Sequence, residues 1–166
     1  ILTEALKANP DAASAIGKLL SESDGQRRID SAGIQMNYRT LTPLDRGHKE
    51  LDQAQFDSDE DIFGPSAAAA LYRSAALSTL VDSPFDADLF AYYEDVDLAW
   101  RLSNLGWRHL YRPKAIAYHE RRGPDVGPQA LSCVVKTKPG WFVPRSWSLS
   151  EDRLQRLSIH GSLEKT

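Results

Sequence analysis

The spacing of apolar residues predicts helices and strands in alternation along roughly the first 122 residues. Leu2, Ala5 and Leu6 share one face of a first helix, which Asn9-Pro10 should end. Short strands are predicted where small or β-branched apolar residues run together between turn residues. These strands span residues 12–20, 29–33, 34–38, 66–72, 107–111 and 115–118. Alternation of this kind indicates an α/β fold.

The clearest predicted helix covers residues 94–105, and a shorter one covers residues 73–80. The longer helix carries an apolar stripe and is followed by Gly106, a residue type that commonly caps helix ends. The stripe consists of Val96, Ala99, Trp100, Leu102 and Leu105. We expect Trp100 to pack in the core beneath this helix.

Two regions lack a clear periodicity of hydrophobic residues. Residues 42–61 are polar, acidic and rich in breakers, and they are predicted to form a long loop. From Gly123 onward the hydrophobic periodicity is lost, and Gly-Pro pairs occur at 123–124 and 127–128. The predicted organisation is therefore one unit over residues 1–122 and a weakly ordered or appended tail over residues 123–166.

Composition narrows the functional classes. The 166 residues are 42% hydrophobic and 26% charged, as in ordinary globular proteins. A net charge of −3 provides no basic field, which argues against nucleic-acid binding. No apolar run is long enough for a transmembrane segment. The single cysteine, Cys133, excludes an internal disulfide framework and indicates a reducing compartment, so we expect a cytoplasmic location.

The chain starts at Ile1, and Met36 is its sole methionine. This pattern favours a piece of a longer or processed protein. Part of the machinery that this chain serves is then expected upstream of residue 1.

Acidic residues crowd the start of the predicted helix 94–105. The carboxylates of Glu94, Asp95 and Asp97 fall in its first turn, where the helix dipole holds them ionised. A carboxylate held in this way can act as a general base on a substrate hydroxyl. Tyr92 and Tyr93 precede the acids, and aromatic surfaces beside carboxylates are typical of sugar sites. The structural alternative is that acids in a first turn simply favour helix initiation.

Two further features can contact a ligand. His119 follows a predicted strand and precedes Arg121, so it can bind a metal ion, and the arginine can meet a phosphate. The small residues after Gly64 allow a backbone to approach a ligand closely. A strand-end histidine, a solvated arginine and a tightly packed strand are the corresponding structural alternatives.

In order, these segments resemble the family 2 glycosyltransferases, especially the bacterial rhamnosyltransferase-like branch. The resemblance spans roughly residues 1–122 and is specific as an ordered combination. Its main elements are Phe63-Gly-Pro-Ser-Ala-Ala-Ala-Ala-Leu-Tyr-Arg-Ser-Ala-Ala-Leu77, Phe85-Asp-Ala-Asp-Leu-Phe-Ala-Tyr-Tyr-Glu-Asp-Val-Asp-Leu-Ala-Trp-Arg-Leu102, Leu105-Gly-Trp107 and Tyr111-Arg-Pro-Lys-Ala-Ile-Ala-Tyr-His119. Upstream, residues 9–11, 17–20 and 29–33 match the same family's middle segment.

The resemblance implies a function and roles for individual residues. Asp95 would be the base that deprotonates an acceptor hydroxyl, with Glu94 beside it, in an inverting sugar transfer. A divalent cation, Mg²⁺ or Mn²⁺, would neutralise the leaving diphosphate, with His119 among its ligands. The partners would be a nucleotide-sugar donor and a saccharide or lipid-linked acceptor, and any membrane contact would be peripheral. The implied substrate-binding residues are Gly64, Ala67, Ala68, Tyr93, Trp107 and Arg121.

The family's pattern is incomplete in this chain. Its nucleotide-binding half and its metal-binding Asp-x-Asp would both precede Ile1. The resemblance therefore implies a partial GT-A fold, a mixed sheet flanked by helices without the N-terminal nucleotide-binding half. Alone, such a piece is expected to be poorly active or inactive. Alternatives are a non-catalytic module that binds a saccharide through Tyr92, Tyr93 and Trp107, and an α/β domain whose acids only cap a helix.

Overall fold

The computed structural model describes residues 1–23, 25–86, 89, 93–119 and 141–142. Its helices are α1 (Leu2–Ala8), α2 (Ser74–Leu77) and α3 (Glu94–Asn104). Its strands are β1 (Ala12–Ser23), β2 (Gln26–Ser31), β3 (Ile34–Asn37), β4 (Thr42–Asp45), β5 (Glu60–Ile62), β6 (Ala70–Arg73), β7 (Arg108–Tyr118) and β8 (Trp141–Phe142).

Strand β1 is the centre of a mixed sheet. The strand order is β5-β7-β1-β6-β8, and β2 also pairs with β1. β1 and β7 are parallel, whereas β1 is antiparallel to β2 and β6. The strands β3 and β4 form a separate antiparallel hairpin. The predicted α/β class with a mixed sheet is confirmed.

The sequence of β1 explains its central place. Residues 12–20 are all buried, as expected for a strand covered on both faces. Gly17 allows β7 to approach, because a Cβ at this position would lie 1.9 Å from the carbonyl oxygen of Ala115. The register also shifts here: Ile16 pairs with Tyr111, and Lys18 pairs with Ile116.

This shift corrects one prediction. The strands predicted at 107–111 and 115–118 are a single strand, β7, with an irregularity around Pro113 opposite Gly17. Proline has no backbone N–H to donate to a β-ladder, and for this reason the sequence predicted two strands separated at Pro113. The chain instead bulges and resumes pairing on the same neighbour.

The predicted loop at 42–61 is also partly wrong. It contains β4, which pairs with β3, and most of β5, which pairs with β7. Both strands are short and no more than half-buried, so their residues lack an apolar pattern. The strand predicted at 66–72 starts only at Ala70, since residues 67–69 form a turn and bend.

Helix α3 buries only Ala99 and Leu102 of the predicted stripe. Leu98, Ala99 and Leu102 are buried, whereas the side chain of Trp100 is 39% exposed. The prediction that Trp100 packs beneath the helix is therefore wrong. Leu105 is also exposed, because α3 ends at Asn104 and Gly106 turns the chain with a φ of 87°.

The tail is described only where β8 pairs with β6. The rest of the predicted segment 123–166 lies outside the described residues, so its predicted order stays a prediction. None of the described helices is long and apolar enough to cross a membrane.

Candidate functional site

The Asp95 carboxylate is held by backbone N–H groups from two segments. Its Oδ2 accepts a hydrogen bond from the Ala67 N–H at 3.1 Å, and its Oδ1 accepts one from the Val96 N–H at 2.9 Å. Burial raises the pKa of Asp95 to about 6; the Ala67 hydrogen bond opposes this rise, and the charge of Glu94 adds to it. The side chain thus combines a fixed orientation with a proton affinity suited to neutral pH.

The small-residue segment meets α3 through close packing. Gly64 lies against Ala99, and a Cβ on Gly64 would be 2.4 Å from the Ala99 Cβ. Ala67 reaches the acid through its backbone, while Ala68 packs against the core cluster around Ile16. Of the three predicted ligand-binding residues in this segment, Ala67 contacts the candidate base, and Gly64 and Ala68 pack against helix and core.

Glu94 contributes a buried oxygen to the same region. Among the described residues, Glu94 Oε2 and the Tyr72 hydroxyl are buried side-chain atoms with no hydrogen-bond partner. Burial, with the charges of Asp95 and Glu94, raises the pKa of the Tyr72 phenol well above its usual range. Tyr72 was not predicted as a site residue. Its position in a short apolar strand carries no signal of a polar role.

Asp97, the third acid of the first turn, is separate from this region. Its Oδ2 accepts a hydrogen bond from Arg101 Nε at 2.8 Å, and Arg101 Nη2 donates to the Pro84 carbonyl at 2.7 Å. Asp97 therefore belongs to an ion pair that ties α3 to the segment before it.

The predicted aromatic contacts divide into exposed and packed side chains. Tyr93, half exposed, lines an open groove together with the exposed Trp100. Trp107 is instead half-buried against the core under α3 and donates its indole N–H to Thr79 Oγ1 at 3.2 Å. The groove is completed by Met36, Leu41, Leu89, Val96 and Asp97. Tyr92 lies outside the described residues.

His119 is fixed by a buried carboxylate at the end of β7. Its Nδ1 is 2.8 Å from Asp30 Oδ2, and His48 Nδ1 is 3.0 Å from the Asp30 carbonyl oxygen. A Nδ1–H that donates to a carboxylate leaves Nε2 as the metal-binding nitrogen, the arrangement common around ligand histidines. Within the described ranges, no three His, Cys, Asp or Glu side chains group as a metal site. No described hydrogen bond or ion pair joins His119 to Asp95. Arg121 lies outside the described residues.

A buried histidine, which no sequence pattern singles out, holds α3 on the sheet. His109 Nε2 lies 3.3 Å from the Ala99 carbonyl oxygen, and Nδ1 lies 2.7 Å from Ser14 Oγ. Donation from Nε2–H to the carbonyl makes Nδ1 the acceptor of the serine hydroxyl. Burial lowers the pKa of His109 to about 4, so the ring is neutral at pH 7. It therefore serves as an uncharged link between β1, β7 and α3.

No protein-family model, curated protein or solved structure matches this chain. Its function is therefore inferred from the residues themselves and from the ordered resemblance of their motifs.

Proposed function

We propose that this chain is the acceptor-side part of an inverting glycosyltransferase, and that Asp95 is its general base. In the proposed step, an acceptor hydroxyl oxygen attacks the anomeric carbon of a nucleotide-activated sugar. The bond from that carbon to the diphosphate oxygen breaks, the nucleoside diphosphate leaves with the electron pair, and the hydroxyl proton passes to Asp95. Inversion follows from attack on the face opposite the leaving group.

The observation that carries this proposal is the environment of the Asp95 carboxylate. Two backbone N–H groups orient it, and burial raises its pKa to about 6. A base whose pKa lies near the working pH is ionised enough to accept a proton and basic enough to hold it. An acid that only capped the helix would gain nothing from such burial, because the dipole favours the ionised form.

The proposal includes a divalent cation, Mg²⁺ or Mn²⁺, which when bound would supply positive charge for the leaving diphosphate. His119 is the residue proposed to contact it, through Nε2, because Asp30 orients the other ring nitrogen. The described residues provide no complete ligand set. The remaining ligands in this proposal come from the donor diphosphate and from parts of the protein beyond the described residues.

The decisive variant is Asp95→Asn in the natural protein that contains this sequence. Sugar transfer from a labelled nucleotide sugar should fall by about 10²–10⁴-fold, the usual contribution of a general base. Binding of the nucleotide should change little, because the amide keeps the size of the carboxylate. Asp97→Asn is the matched control: it removes an acid two residues away that is paired with Arg101, and transfer should persist. Full turnover in Asp95→Asn would remove Asp95 from the mechanism.

The exposed groove favours a second candidate function, saccharide binding without turnover. Tyr93 and Trp100 line it, and their side chains are 51% and 39% exposed. Aromatic side chains of this kind supply large contact area for ligands with an apolar face. This candidate retains sugar recognition but gives Asp95 no chemical role.

A further inference from the structure

Two buried polar atoms of complementary character lie beneath the start of α3. Tyr72 packs in the core cluster that includes Leu98 and Leu102 of α3, so its ring lies under the helix. Its hydroxyl and Glu94 Oε2 are both buried without a direct hydrogen-bond partner. Nearly all buried polar atoms in folded proteins are bonded to protein or to ordered water. Each of these two atoms therefore needs a partner.

The chemistry of the two atoms indicates what lies between them. A phenol offers one hydrogen, whereas a carboxylate oxygen only accepts. The Tyr72 hydroxyl also lies within the electrostatic reach of Glu94 and Asp95, whose charges act on its ionisation. A water molecule can accept from the phenol and donate to the carboxylate at once, and internal waters typically make about three such bonds.

We propose that one internal water bridges the Tyr72 hydroxyl to Glu94 Oε2, which makes Tyr72 a positioning residue for the Glu94–Asp95 pair. The hydrogen bonds run from the phenol to the water and from the water to Glu94. This inference rests on the proposed function, since a positioning role presupposes that Asp95 is the base. The hydrogen bond donated to Glu94 stabilises the negative charge beside Asp95, and that charge contributes to the raised pKa of Asp95.

The test is the carboxyl titration of Asp95, followed by carbon-13 NMR, in the 166-residue chain and in Tyr72→Phe. Loss of the phenol removes a donor from the pair and leaves the ring in place. The titration midpoint of Asp95 should then fall by about 0.5, because the Glu94 charge that raises the pKa of Asp95 is less well stabilised. The melting temperature should fall as the bridge is lost.

Tyr111→Phe is the matched control. Tyr111 is also a fully buried tyrosine, but its hydroxyl donates to the Phe56 carbonyl at 2.9 Å in a different core cluster. This variant should lower the melting temperature without moving the Asp95 midpoint. A purely structural role for Tyr72 would give the same pattern as Tyr111 and would overturn the proposal.

The sign of the stability change gives a second criterion. If the Tyr72 hydroxyl had no hydrogen bond to water or protein, its removal would relieve a desolvation cost and raise the melting temperature. That result would also overturn the proposal. If Tyr72→Phe fails to fold, proton NMR of the wild-type chain provides the test. We expect a slowly exchanging Tyr72 hydroxyl proton with a cross-peak to internal water, and this cross-peak should be weaker in Glu94→Gln. Its absence would refute the bridge.

None of these measurements uses a sugar donor or turnover. An unchanged Asp95 midpoint in Tyr72→Phe would refute the bridge and leave the role of Asp95 standing. Persistent turnover in Asp95→Asn would instead refute the proposed function, whatever the titration shows.

Discussion

Gly64→Ala tests whether close packing of the small-residue segment positions α3 and its acids. The added Cβ would lie 2.4 Å from the Ala99 Cβ, whereas ordinary contact begins near 3.4 Å. The segment and the helix must therefore separate by about 1 Å at this point. Overpacking of this kind costs about 1–3 kcal/mol in free energy of unfolding. The melting temperature should fall by roughly 3–10 °C.

The second variant, Ala99→Gly, isolates the contact. Alone it should cost about 1 kcal/mol, because glycine is a poor helix former. In the double variant the clashing methyl group is gone, so Gly64→Ala should then cost much less. We expect the double variant to be more stable than the sum of the single changes by about 1–2 kcal/mol, measured by chemical denaturation.

Gly106→Ala provides a control for glycine replacement itself. Gly106 has a φ of 87° and nothing within 4 Å of where a Cβ would lie, so its replacement strains the backbone without a clash. Ala99→Gly should not rescue this variant. Since the shift of α3 would also disturb the Ala67–Asp95 hydrogen bond, the Ala67 amide resonance should move in Gly64→Ala and return in the double variant. Additive energies in the Gly64–Ala99 pair would refute the packing argument.

Two other predictions concern His109 and Trp100. The unfolded His109 has an ordinary pKa near 6.5 and the folded one about 4, so the unfolded state binds the extra proton as the pH falls between these values. His109 should therefore cost the fold roughly 3 kcal/mol of stability between pH 6.5 and pH 4. Asp95 has the opposite effect on stability, because its folded pKa is raised and the folded state therefore gains stability as the pH falls. The contribution of His109 is isolated by the difference in free energy of unfolding between wild type and His109→Gln. A difference that does not change with pH would refute the prediction. If the groove lined by Tyr93 and Trp100 binds a saccharide, as the second candidate function proposes, titration with an oligosaccharide should show affinity about tenfold weaker in Trp100→Ala than in the control Trp107→Phe. Equal affinity in the two variants would exclude the groove as the binding site.

The central elements could be predicted from sequence because burial imposes a readable pattern. Strand β1 is apolar on both faces, and α3 begins with acids and ends before a glycine. Strands β4 and β5 could not, since each is only three or four residues long and none of their residues is fully buried, so neither shows an apolar pattern. The partner of β5 also lies far along the chain, in β7. The break predicted at Pro113 overlooked how Gly17 on the neighbouring strand accommodates a bulge.

The residues of the candidate site also divide into those that the sequence indicates and those that only the folded structure identifies. Glu94 and Asp95 stand out in the sequence because acids gather at one helix start. Tyr72 and His109 do not, because their roles depend on which side chains surround them after folding. Helical spacing alone places Trp100 in the core, but the side of α3 that meets the sheet is set by Leu98, Ala99 and Leu102.

The most direct test of Asp95 as the base is the pH dependence of the transfer rate in the natural protein that carries this sequence. The rate constant for transfer should rise with pH through an apparent pKa of about 6, and above that pH Asp95→Asn should lower it by about 10²–10⁴-fold while nucleotide binding persists. A rate that keeps its value well below pH 6, or that is undiminished in Asp95→Asn, would contradict the assignment of Asp95 as the base.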